Sequence, residues 1–115
     1  MVDRNAPQVM LALTSEADQA KAEALALALL ERRLVACVSL QPQRALYHWQ
    51  GRLETAAEVQ VLLKTDAEHL GELAAAVRAL HSYETPEWLV WPAAASSGYG
   101  GWLAAELAPP GGRSA

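Results

Sequence analysis

Phenylalanine is absent from this chain of 115 residues, and cysteine occurs once, at Cys37. A lone cysteine excludes an intrachain disulfide and any paired-cysteine zinc module. Nothing therefore calls for an oxidising compartment. Without phenylalanine, bulky core volume must come from leucine, valine and the four tryptophans. Basic charge is also scarce. A net charge of −4 and a pI near 5.3 leave no concentrated basic face, which excludes nucleic acid as the main partner. Long apolar runs are missing too. The longest, Ala24 to Leu30, is far too short to span a bilayer, so no membrane partner is expected. Met1 to Pro7 is charged and lacks the apolar segment of a signal peptide, so the expected location is the cytoplasm. GxSxG, P-loop and HExxH patterns are absent, as is any paired Cys/His metal spacing. The chain is not expected to be an enzyme.

What remains is one domain of ordinary size, expected over residues 8–108 with a disordered tail at 109–115. Val9 to Leu13 reads as a buried strand. Ser15 has the position of a helix N-cap, with Asp18 in place of the usual Glu of a capping box. The helix it opens is expected to reach about Arg33. Val35 to Leu40 reads as a second strand, limited by Pro42. Leu46 to Trp49 resumes an extended pattern, and Gly51 centres a turn. Glu58 to Lys64 makes the third strand, so the pair forms a long antiparallel hairpin. Thr65 to Glu68 is a capping-box pattern. Leu70, Leu73, Val77 and Leu80 then form an amphipathic stripe that ends near His81. Trp88 to Trp91 reads as a short strand stopped by Pro92, and Tyr99 to Leu107 as a last helix. The order β-α-β-β-α-β plus a terminal helix is the split βαβ, ferredoxin-like pattern of an α+β domain. Right-handed crossovers place both main helices on one face of a four-stranded antiparallel sheet. The other face then needs cover.

The densest chemistry lies in His81-Ser82-Tyr83-Glu84-Thr85-Pro86-Glu87. Histidine titrates or ligates metal near neutral pH, and Pro86 restricts both itself and Thr85. His81 also suits a helix C-terminus with no further role. Cys37 lies among apolar neighbours, where a free cysteine behaves as a small core residue. As a soft ligand it needs a second donor nearby. Lys64 ends an apolar strand, where a solvated and a pocket lysine are both ordinary. His69 is expected on the solvated side of the second helix. Tyr47, Trp49, Trp88, Trp91 and Trp102 read first as core or interface anchors.

Five segments, taken in order, resemble the CutA divalent-cation tolerance proteins. They are Ala36 to Ser39, Tyr47 to Gly51, Glu58 to Thr65, His81 to Glu87 and Tyr99 to Leu103. The resemblance runs from about Val9 to Leu107. It implies a ferredoxin-like homotrimer similar to the PII signalling proteins, with hairpin strands joined edge to edge across subunits. It also implies a ligand pocket between subunits, drawing on Trp49, Glu58, Lys64, Tyr83 and Trp102. Cys37 and His81 would be the metal ligands, an N/S pair suited to copper or zinc. The role implied is response to metal ions. The alternative is a non-catalytic assembly or PII-like regulatory module that holds a protein partner. Two residues depart from the family pattern: Ser39 stands where asparagine is usual, and Ser82 where proline is usual. Both departures bear on the shape of the pocket.

Overall fold

The computed structural model describes residues 8–109, so the expected tail lies almost wholly outside the described residues. The elements are β1 (Val9–Glu16), α1 (Gln19–Glu31), β2 (Cys37–Trp49), β3 (Arg52–Thr65), α2 (Leu70–Leu80), β4 (Leu89–Ala93) and α3 (Ser97–Leu107). The sheet order is β2-β3-β1-β4, with every pairing antiparallel. This is the expected α+β, split βαβ architecture.

Side chains alternate across a sheet, and the register assigns each face. Ala12 lies opposite Leu63, Thr14 opposite Val61 and Glu16 opposite Val59. These positions face α1 and α2, where Ala12, Val59, Val61 and Leu63 pack with Leu25, Leu29, Leu73 and Val77 in the main core. Val9 and Leu11 point the other way. There α3 lays Leu103 and Leu107 over Val9, with Leu11, Ala36 and Ala93 at the margin. The last helix therefore covers one end of the second sheet face.

Several boundaries differ from the sequence reading, each for a local reason. Ser15 does not cap α1. It belongs to β1, paired with Gln60, and the cap is Asp18, whose side chain accepts from the Lys21 N–H at 2.8 Å. The helix stops at Glu31 because Arg33 turns into the left-handed region at φ 55°. Its N–H donates to the Leu30 carbonyl and that of Leu34 to Leu29, which completes a Schellman motif with arginine in glycine's usual place. Pro42 does not interrupt β2, and Pro92 does not stop β4. Both strands lie at sheet edges, where a missing N–H is tolerated. Thr65 is a strand residue whose hydroxyl donates to the Leu34 carbonyl at 2.8 Å, and Asp66 accepts from the His69 N–H instead.

The β2–β3 hairpin outruns the rest of the sheet. Pairing with β1 ends at Glu16–Val59, yet β2 and β3 stay paired to Trp49–Arg52. Residues 43–49 and 52–58 thus form a two-stranded arm, about 23 Å long at the usual strand rise. Gln50 and Gly51 close it, both at positive φ (51° and 76°), as a hairpin turn that matches strand twist demands.

Candidate functional site

The structure divides the expected site residues among four places. Cys37 and Lys64 are direct cross-strand partners in the rung that continues through Leu11 to Trp91. His81, Tyr83 and Glu58 meet at the far end of β1. Trp49 stands at the arm tip opposite Arg52, and Trp102 lies on α3 with its ring 5.6 Å from that of Tyr99. Cys37 lies level with Leu11, whereas His81 lies beside Ser15. Their levels differ by four residues of β1, about 13 Å along the strand, and Cys37 stands on β2, with β3 between it and β1. One chain does not bring them around a single ion.

His81 arrives at the C-cap of α2 with its side chain fully buried. Its Nε2 donates to the Ser15 carbonyl at 2.6 Å and lies 3.2 Å from the Thr14 hydroxyl. Its Nδ1 accepts from the Tyr83 N–H at 2.9 Å. Both ring nitrogens are engaged in that tautomer, so ligation by His81 requires one of these bonds to open. Thr14, Ser15 and Glu16 are buried because the end of β1 is roofed by the loop that follows α2.

Glu16 is the buried carboxylate of this cluster, only 1% exposed. Ser82 meets it twice: its N–H donates to Oε2 at 3.0 Å and its hydroxyl to Oε1. Ala17 donates a third hydrogen bond, and the His81 ring lies 3.6 Å away. Burial alone pushes the Glu16 carboxyl upward. The hydrogen bonds from Ser82 and Ala17, with His81 nearby, outweigh it and hold the group below the usual glutamate value. Tyr83 donates from its hydroxyl to Glu58 Oε2 at 2.8 Å, and its ring sits 5.0 Å from that of His81. Burial, and then the Glu58 carboxylate, raise the phenol above the ordinary tyrosine range.

A further donor set lies at the start of α2. One ligand atom from each of Asp66, Glu68 and His69 falls within 4.8 Å of the others. Asp66 Oδ1 lies 2.7 Å from His69 Nδ1, a carboxylate–imidazole pairing common behind metal ligands. The sequence reading took Asp66 and Glu68 for capping residues and set His69 on the solvated side. The spacing was visible, but helix starts are acidic for ordinary reasons. Glu16 was missed on similar grounds, since Thr-Ser-Glu after an apolar run looks like a helix start.

Fold and residues together define a split βαβ domain with carboxylate, imidazole and thiol donors on its sheet ends and loops. The profile of the CutA1 divalent ion tolerance protein matches residues 10–106. The Divalent-cation tolerance protein CutA of Pectobacterium atrosepticum is 44% identical over 109 residues, which cover 93% of this chain and 99% of that protein. Among solved structures, CutA from Synechococcus elongatus superposes with a TM-score of 0.87 at 33% identity, covering 94% of this chain and 95% of that one. The Periplasmic divalent cation tolerance protein CutA from Archaeoglobus fulgidus gives 0.84 at 29% identity, covering 87% and 99%. This chain belongs to the CutA divalent-cation tolerance family. Among the described residues, no helix is long and apolar enough to cross a membrane.

Proposed function

We propose that this protein is a homotrimeric, non-catalytic, cytoplasmic member of its family that binds a divalent metal ion or a small ligand and serves in the response to metal ions. One observation carries the assembly: among the described residues, the arm of 43–49 and 52–58 has no third strand beside it, and it exposes Leu46, Tyr47, Trp49 and Leu53. Unpaired edges and exposed apolar side chains together call for a second copy. Joining copies there would gather Trp49 with the Glu58–Tyr83 pair and the Lys64 and Trp102 surfaces of neighbours into an intersubunit pocket.

Family membership supports the cation role. Two donor sets offer themselves: Asp66, Glu68 and His69 within one chain, and Cys37 with His81 from different chains. Imidazole and carboxylate suit zinc, and thiolate adds affinity for copper. Calorimetric titration of tag-free protein with Zn²⁺ and Cu²⁺ tests this reading. Asp66→Ala with His69→Ala, Cys37→Ala and His81→Ala tell the two sets apart. Saturable binding lost in one of these sets supports the proposal; absence of saturable binding to the assembled protein overturns it.

The engaged nitrogens of His81 favour a second reading, a module that holds a partner protein and binds metal incidentally. Capture of one partner from extract, equal with and without chelator, would select that reading.

A further inference from the structure

The arm is a two-stranded ribbon, and such a ribbon is marginally stable and free to twist when no third strand lies beside it. Its own ladder joins only β2 to β3, so it can flex about the rung where β1 ends. Among the described residues, one side-chain hydrogen bond ties the arm to the rest of the chain: the Tyr83 hydroxyl donates to Glu58 Oε2 at 2.8 Å. The Arg52–Glu54 ion pair lies within the arm itself. Glu58 stands at the base. Pairing of β3 with β1 ends at Val59, so Glu58 is the first residue of β3 that β1 no longer supports. Tyr83 is held in turn from the other side. His81 Nε2 donates to the Ser15 carbonyl, Ser82 donates to both oxygens of Glu16, and the Tyr83 N–H donates to His81 Nδ1. Ser15 and Glu16 are the last two residues of β1. Three consecutive loop residues therefore run from the point where β1 stops to the first unsupported residue of the arm.

We infer that His81-Ser82-Tyr83 is a strap that aims the arm, with Tyr83 as its positioning residue and a second copy of this chain as the partner aimed at. The strap takes over at the rung where strand support ends. A loose ribbon has to be ordered at the moment two copies meet, and ordering it beforehand removes that cost. The role in docking rests on the proposed assembly, whereas the aiming itself belongs to one chain and requires neither a ligand nor a metal.

Nitroxide labels on Arg52→Cys at the arm tip and Glu23→Cys on α1, in a full chain carrying Cys37→Ser and Leu53→Asp, read the arm's direction as a distance distribution within one chain. A narrow distribution is expected, and Glu58→Gln is expected to keep it, since its amide oxygen still accepts from the hydroxyl. Tyr83→Phe keeps the ring beside His81 and removes only the bond. It is expected to broaden the distribution, as is Glu58→Ala, because a lost hydrogen bond shifts the balance of aimed and swung arms by a factor of about two to ten. With Leu53 and the native cysteine restored and no labels, Tyr83→Phe is expected to weaken assembly in light scattering across a dilution series. A broad distribution with Tyr83 in place, or an unchanged one in a folded Tyr83→Phe chain, would overturn the inference. Broadening with unchanged assembly would overturn the role in docking. Broadening in a protein that never assembles would uphold the strap and sink the assembly alone.

Discussion

The Ser82 N–H donates to Glu16 Oε2 at 3.0 Å while the Ser82 hydroxyl donates to Oε1 of the same carboxylate. One residue thus satisfies both oxygens of a buried anion. A proline at this position would supply neither donor, so the bond pair that holds the loop to β1 depends on serine here. Ser82→Ala removes one donor and is expected to lower stability by about 1–3 kcal/mol, with Ser82→Pro costing more. Urea unfolding of both variants checks the size and the order.

The same carboxylate gives acid sensitivity. Its folded pKa lies below the unfolded value, so Glu16 stabilises the fold above about pH 4.3. That contribution is lost as the pH falls through the lower folded value. Glu16→Gln is expected to lower stability at pH 7 and to flatten its fall between about pH 5 and 2. Unfolding midpoints measured across that window provide the comparison.

Tyr83 responds at the other end of the scale. Its folded pKa is raised, so its contribution is complete below the ordinary tyrosine value of about 10 and declines as the pH rises beyond it. Glu58→Gln removes the acceptor's charge and is expected to bring the Tyr83 ionisation down towards the free value. Absorbance near 295 nm, with Tyr83→Phe as the reference, isolates this tyrosine from Tyr47 and Tyr99.

The proposed assembly through the arm would make Leu53 a sensitive position. It is 72% exposed in the single chain and faces the same side as His48. Leu53→Asp is expected to shift the particle from three copies towards one, because a buried unpaired carboxylate is costly. Light scattering at micromolar concentration reads this directly, and a wild-type mass of one chain would remove the proposed assembly.

Most of the fold was legible because its signals are periodic. The stripe of Leu70, Leu73 and Val77 and the apolar runs of β1 and β3 named their elements. Boundaries were harder, since Ser15, Thr65 and Pro42 carry local preferences that long-range pairing overrides. The site was legible by composition but not by arrangement. His81 announced itself, yet its partners Thr14, Ser15 and Glu16 lie more than sixty residues earlier in the chain. Only the crossover of the chain brings them together.

Arg33 gives the sheet a clasp between its two covers. α1 lies on one face and α3 on the other, and the Arg33 guanidinium Nη1 donates to the Glu106 carbonyl of α3 at 2.7 Å. The residue that ends α1 therefore also anchors α3, which otherwise buries little more than Gly100, Leu103 and Leu107. Its left-handed backbone, a strain for any residue but glycine, places the guanidinium for that contact. Loosening the end of α1 would let α3 lift, and its cover of Val9 by Leu103 and Leu107 would lift with it. A substitution on one side of the sheet thereby reaches the packing on the other.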